Sequence, residues 1–431
     1  MSNFATYENM KDSGIEWIGS VPSHWRVHTL YQLATQVKDK NSELQEKNLL
    51  SLSYGKIKRK DIDSPDGLLP ASFDGYNIIE NGDIVLRLTD LQNDHTSLRV
   101  GLATERGIIT SAYTTLRPVD TRTSKYLYYL IHAFDLKKGF YGMGSGVRQG
   151  LNYSEVKELR VVIPECDEQE AITKFLDKEC ARIDAIIDEA KSSIDEYKRW
   201  KASVIYEAVT KGIGVATETK KCKIPSIDRC PSSWEILRIK DVSTVVRGGS
   251  PRPIEEYLTD DPDGLNWIKI GDTQKGKKYI KTVSQKIKRS GLSKTRMVHR
   301  GDLLLTNSMS FGEPYILDID GCIHDGWVCI TDIHKVTKEY LYYFLCSELC
   351  KAQFTLQVAG GVVQNLNIDK IGSSYILVPT IDEQNKLVDY LEEMCSNIEG
   401  LIDEKTELIM ELESFKRSLI YEVVTGKRKV V

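Results

Sequence analysis

DEQEAITKFLDKECARIDAIIDEAKSSIDEYKRWKASVIYEAVTK, residues 167–211, contains neither glycine nor proline and spaces its apolar residues by alternating steps of four and three. Ile183, Ile187, Ala190, Ile194, Tyr197, Val204 and Ala208 fall on one stripe, and Glu, Asp, Lys and Arg fill the opposite face. This pattern predicts a long helix packed against another helix. At about 1.5 Å per residue it would span roughly 65 Å, the length of a strut or coiled coil rather than of an ordinary globular helix. The stretch returns at residues 382–425, at a constant shift of 215 positions. Asp167-Glu168-Gln169 becomes Asp382-Glu383-Gln384, Ile187-Asp188-Glu189 becomes Ile402-Asp403-Glu404, and Ile205-Tyr206-Glu207 becomes Ile420-Tyr421-Glu422. A register kept over so many identical residues marks an internal duplication.

Each strut carries its own boundary signals. Asp167 is expected as an N-cap with Glu170 completing a capping box, and Asp382 as its counterpart with Asn385 at the box position. Gly212 and Gly426 are expected to end the helices in the left-handed conformation. Gly400 stands where the first strut has Ala185, which would allow either a close approach of two antiparallel helices or a mild local bend.

The rest of the chain is also written twice. Pro22-Ser23-His24-Trp25 is answered by Pro231-Ser232-Ser233-Trp234, Gly82-Asp83-Ile84-Val85-Leu86 by Gly301-Asp302-Leu303-Leu304-Leu305, and Tyr126-Leu127-Tyr128-Tyr129 by Tyr340-Leu341-Tyr342-Tyr343. The separations are 209, 219 and 214, so insertions and deletions accumulated ahead of the struts while the struts kept register. Segments Ile84 to Leu88, Ile108 to Leu116, Ile316 to Ile319 and Val328 to Ile333 read as strands. Lys125 to Phe134 and Glu339 to Glu348 read as helices whose tyrosines pack inward. The expected division is 1–165 and 224–380 for two globular domains, 166–212 and 381–431 for the helices, and 213–223 for a polar linker.

A chain of 431 residues exceeds what one core supports, and 41% hydrophobic with 28% charged residues is ordinary for a soluble protein. The opening MSNFATYENMKDSG lacks the apolar core of a signal peptide, and no run reaches membrane-spanning length, so a cytoplasmic location is expected. Nine cysteines without a CxxC pair are read as reduced, mostly buried thiols, the nearest spacings being Cys346 to Cys350 and Cys322 to Cys329. HExxH, the phosphate-binding GxxxxGK[ST], the GxSxG elbow and an Asn-Pro-Pro-aromatic tetrad are all absent. Asp66 and Asp263 sit in Pro-Asp-Gly, which is a turn sequence first.

Positive charge, in contrast, is concentrated. Between Lys269 and Arg300 there are eleven Lys and Arg, including Lys275, Lys277 and Lys278, against the single acid Asp272. In a chain of net charge −4 such a segment suits nucleic-acid phosphates. The first domain has a smaller cluster, Lys56, Lys58, Arg59 and Lys60, with Arg87, Arg99 and Arg106 nearby in sequence, and a solvated charged surface is the plain alternative there. Gly144 to Gln149 and Gly360 to Gln364 each lead to an asparagine, Asn152 or Asn367, placed to cap a short helix. Gly146, Arg148, Gln149, Gly361 and Gln364 are candidates there, since glycines let a nucleic-acid strand come close.

Two diverged domains with two repeated helices, each helix entered through Gly-x-x-x-Gln-x-Leu-Asn, an apolar strand, Pro and Asp-Glu-Gln, resemble the specificity subunit of type I restriction-modification systems. Gly248-Gly249-Ser250-Pro251-Arg252, Glu256-Tyr257, Trp267 and Ile270-Gly271-Asp272 resemble the opening of that family's target-recognition domains. The first domain has Gln36-Val37-Lys38-Asp39-Lys40 in place of the glycine-rich segment. The resemblance implies an α+β chain, two mixed target-recognition domains separated by repeated helices that form an antiparallel coiled coil. Each domain would read one half of a bipartite site on double-stranded DNA, with Arg247, Gly249, Ser250 and Arg252 added to the candidate contacts. Methyltransferase subunits would dock on the helices and a motor-nuclease subunit would join through the complex. S-adenosylmethionine, ATP and Mg would belong to those partners, none being bound by this chain, which would be non-catalytic. A system that only methylates is compatible with the same residues. The rival readings are a single-chain nuclease or methyltransferase, and a coiled-coil adaptor that binds protein.

Overall fold

The computed structural model describes residues 6–430 apart from 64–69, 71, 92–93, 95, 144–149, 215–217, 275, 309–311 and 359–365. The two struts are single helices, α1 (Cys166–Lys211) and α2 (Ile381–Val424). Both begin two residues earlier than N-caps at Asp167 and Asp382 would place them. Asp167 and Glu168, like Asp382 and Glu383, therefore lie inside the first turn, where a carboxylate faces the positive end of the helix dipole. The cap of α2 is Thr380, whose hydroxyl accepts the Glu383 N–H at 3.4 Å, not Asp382. Gly212 and Gly426 follow the helices with φ of +82° and +69°, as left-handed terminators do. A Cβ at Gly400 would meet nothing within 4 Å, so no helix approaches there and the close-packing expectation does not hold.

The chain divides into two compact units, residues 1–190 with 407–431, and residues 191–406. Each long helix is thus shared between the units. The sequence boundaries at 166 and 381 mark helix starts rather than the edges of compact bodies. The expected linker contains a strand, Thr219–Lys221, paired with Arg229–Pro231.

In the first unit a four-stranded antiparallel sheet runs in the order Ala34–Gln36, Thr114–Pro118, Ile84–Leu86, Val100–Leu102. The single strand expected from Ile108 to Leu116 is instead two, Gly107–Ile109 and Thr114–Pro118, in different sheets, with a turn closed by Tyr113 N–H to the Thr110 carbonyl. Ile84 and Leu86 face a core that contains Trp25, Tyr126, Ile172, Ile183, Ile187, Leu419 and Val423, so both long helices contribute to it. Val85 points the other way, into a small core with Leu50, Leu52 and Ile79.

The second unit repeats this logic on two five-stranded sheets. Leu303 and Leu305 face a core with Trp234, Tyr340, Leu387, Ile398 and Val209, while Leu304 faces a second core with Trp327 and Ile268. The Gly-Asp turn before each strand has the same cause in both copies. Gly82 and Gly301 have φ near +90°, at +94° and +91°. Asp83 and Asp302 accept the N–H of the residue three earlier, Glu80 or His299, each at 2.8 Å.

The other repeated residues form a joint between each globular part and its helix. Trp25 donates its indole N–H to Glu168 at 3.1 Å, and Trp234 donates to Glu383 at 2.9 Å. Gln169 and Gln384 each donate to the carbonyl of the proline five residues earlier at 2.9 Å. The first tyrosine of each Tyr-Leu-Tyr-Tyr, Tyr126 or Tyr340, is fully buried and donates to the carbonyl of Val162 or Leu377. Among the described residues no helix is long and apolar enough to cross a membrane.

Candidate nucleic-acid interface

The structure sorts the basic residues by what they face. In the first unit, Lys56, Lys58 and Lys60 are exposed and have no ion pair among the described residues, whereas Arg59 is held by Glu105. Arg87 lies 3.6 Å from Asp94, and Arg106 pairs with Glu46 and Glu80. Arg99 is fully buried. Its guanidinium donates to the carbonyls of Arg87, Thr89, Asp90 and Asp94 and to the Tyr141 hydroxyl, so it builds the 87–94 loop and faces no solvent.

In the second unit the opening segment wraps one carboxylate. Ser250 donates to Asp325 Oδ1 at 2.7 Å, Arg252 reaches Oδ2 at 3.1 Å, and Arg247 Nε donates to the Asp325 carbonyl at 3.1 Å. The Ser250 hydroxyl and the Arg252 charge hold the Asp325 carboxyl below its usual range. The glycines are explained by proximity. A Cβ at Gly248 would sit 2.2 Å from the His324 carbonyl oxygen, and one at Gly249 would sit 2.8 Å from that of Lys294. The segment thereby forms one wall of a cleft of about 770 Å³, lined also by Trp267, Lys269, Ser308 and His324.

His324 enters the cleft as a neutral ring. Burial lowers its pKa, and its Nδ1 accepts the Gly326 N–H at 2.9 Å, which leaves the proton on Nε2. A guanidinium, an ammonium and an imidazole N–H around an apolar floor supply donors of the kind that read base edges, while the Ser250 hydroxyl gives its proton to Asp325. Asp325 and His324 had no sequence signal beyond a polar pair before a glycine. Their role follows from the strand ends that bring them under Ser250.

The basic run after Lys269 divides by chemistry. Lys277 pairs with Asp403 of α2 at 3.0 Å, and Lys278 pairs with Glu392 of α2 beneath the rings of Tyr342 and Tyr343, its side chain only 12% exposed. These two ammonium groups, expected as phosphate contacts, are matched by carboxylates of α2. Lys286, Lys288 and Arg296 instead donate to the neutral carbonyls of Pro262, Glu256 and Arg247. A carbonyl partner fixes a cation without cancelling its charge, so this part of the run keeps its positive field. Asn152 and Asn367 cap short helices as expected. Gly146, Arg148, Gln149, Lys275, Gly361 and Gln364 lie outside the described residues.

Residues 231–409 match the family described as the type I restriction modification DNA specificity domain. The type I restriction enzyme MjaVIII specificity subunit of Methanocaldococcus jannaschii is 23% identical over 319 residues, 70% of each chain. The putative type I restriction enzyme MjaX specificity subunit of the same organism is 25% identical over 321 residues, 73% of this chain and 71% of the relative. The fold resembles a solved chain from work on complex assembly and conformational transition of the type I R-M system. That likeness has a TM-score of 0.69 at 14% identity and covers 94% of this chain and 98% of the other.

Proposed function

We propose that the chain is a specificity subunit of the type I restriction-modification family, the likeness its second half and its relatives carry, and that it reads a bipartite DNA site, one globular part per half. The family match covers only the second globular part and much of α2. The observation that carries the reading to the first part is the duplicated joint, Trp25 on Glu168 and Trp234 on Glu383, which attaches unlike domains to like helices. Ser250, Arg252 and His324 are the base-reading candidates of the second part, with Lys286, Lys288 and Arg296 attracting phosphates.

The chain works as the non-catalytic, cytoplasmic recognition component. Methyltransferase subunits supply S-adenosylmethionine chemistry, and a motor-nuclease subunit supplies ATP and Mg chemistry. Two exposed aromatics support docking on the helices. Trp200 and Phe415 are 45% and 48% exposed and occupy the same repeat position, 215 apart, so one kind of partner surface meets both.

Co-expression with the cognate methyltransferase in a methylation-free host, followed by mapping of modified bases, tests the reading. Two short unlike half-motifs around a fixed gap are expected. Methylation without any shared motif, from an assembled complex, would overturn it.

A further inference from the structure

The first globular part has Gln36-Val37-Lys38-Asp39-Lys40 where the second has its glycine-rich segment, and a small ribbon follows it in the chain. Strands β1 (Leu50–Ser53) and β2 (Lys56–Arg59) form a separate two-stranded antiparallel sheet, with Ser51 opposite Lys58, Leu52 opposite Ile57 and Ser53 opposite Lys56. Alternation divides its faces. Leu50 and Leu52 are buried at 2% and 6% exposure, and Ile57 packs beside them over Gly101, where a Cβ would collide with Leu52 at 2.5 Å. The other face carries Ser51, Ser53, Lys56 and Lys58, whose side chains have no hydrogen bond or ion pair among the described residues.

Tyr54 and Gly55 make the turn. A two-residue turn of this kind is most easily made by Asn-Gly. Here a tyrosine holds φ of +48° and is 80% exposed, more than any other large hydrophobic among the described residues. Both the left-handed backbone and the bare ring are unfavourable in the isolated chain.

A two-stranded ribbon is one of the two elements that fit the DNA major groove, serine hydroxyls pair with any base edge, and an aromatic ring can stack on a base. We propose that β1 and β2 enter the major groove of one half-site. In this arrangement Ser51 and Ser53 meet base edges, Lys56 and Lys58 meet the flanking phosphates, and Tyr54 stacks on a base at the tip. The assignment rests on the DNA-recognition reading above.

The test compares the complex of the wild-type chain and methyltransferase with complexes carrying Ser51→Ala/Ser53→Ala or Tyr54→Ala, by mapping methylated genomic adenines of the methylation-free host. The double variant is expected to relax one or two positions of one half-motif and leave the other half unchanged. Tyr54→Ala is expected to lower modification at the same motif about tenfold or more. Equal thermal unfolding of Tyr54→Ala and wild type separates lost stacking from lost folding, since the ring lies outside the core. A wild-type split motif that both variants reproduce in sequence and extent would overturn the ribbon assignment and leave the DNA reading standing. A wild-type complex without a split motif would overturn the DNA reading and the ribbon with it.

Discussion

Lys416 Nζ lies 2.6 Å from Asp184 Oδ1, joining α2 to α1 across 232 positions of sequence. The same pair is written a second time. Asp184 corresponds to Glu399 and Lys416 to Lys201 at the shift of 215, and Lys201 pairs with Glu399. Each pair lies within one compact unit and ties α2 to α1 there. Both lysines are largely covered, at 20% and 25% exposure, so solvent screens these pairs only in part. Lys416→Ala should lower stability by about 1 kcal/mol. In a double-mutant cycle with Asp184→Ala the coupling should be about 0.5–1 kcal/mol and shrink in high salt. A coupling of zero at low salt would mean that the pair is incidental.

His132 gives the first unit a pH dependence. It is buried, stacks on Tyr128 with ring centroids 5.6 Å apart, and its pKa is pushed down from 6.5 to about 4, first by burial and then by the Lys416 charge. The unfolded chain therefore binds the extra proton more readily. Stability present above pH 6.5 is lost as the pH falls toward 4, by up to about 3 kcal/mol from this group. His132→Phe should flatten that decline. Melting temperatures at about pH 7.5 and about pH 5 should differ less in the variant than in the wild type, and equal differences would exclude the histidine as the cause.

Two pairs of lysines should behave oppositely. Lys56→Gln/Lys58→Gln should reduce the dependence of log affinity for non-specific duplex DNA on log salt by up to about 0.9 for each phosphate that is no longer neutralised, with unchanged unfolding. Lys277→Gln/Lys278→Gln should leave the salt slope alone and lower the melting temperature, because Lys278 is held under Tyr342 and Tyr343 and against Glu392. Fluorescence anisotropy and thermal unfolding of the same preparations distinguish the outcomes.

Trp200→Ala and Phe415→Ala should each weaken capture of the methyltransferase subunit by about tenfold or more while leaving the chain folded, since both rings are about half exposed. Size-exclusion chromatography of the mixed subunits reads this directly. Unchanged assembly in the double variant would move the docking surface elsewhere on the helices.

Duplication made the scaffold legible in the sequence, because two copies that keep Trp, Tyr, Gly-Asp and Asp-Glu-Gln through drifting loops mark the residues a fold cannot exchange. The interface was less legible for a definable reason. A basic residue looks the same in sequence whether it faces solvent, a carbonyl or a carboxylate. Arg99 resembled its neighbours Arg87 and Arg106, yet its guanidinium is taken up by four loop carbonyls and the Tyr141 hydroxyl, none of which carries a pattern. Lys278 is matched by Glu392, a residue 114 positions away on the wet face of a helix that was itself correctly read. The strand expected from Ile108 to Leu116 failed locally, because a continuous run of β-formers hid the turn at Thr110.

The joint has a genetic consequence. Trp25 and Tyr126 travel with the globular part, and their acceptors are Glu168 in the repeated Asp-Glu-Gln and the backbone carbonyl of Val162. The second copy matches them with Trp234, Tyr340, Glu383 and Leu377. A DNA segment encoding everything between the Pro-Ser-x-Trp and Asp-Glu-Gln codons is therefore a cassette that brings its own attachment. Recombination at those two short homologies would exchange a whole globular part of any loop length in one event with its indole and tyrosine anchors intact, leaving only contacts such as Lys277 to Asp403 and Lys278 to Glu392 to be matched by the receiving helix.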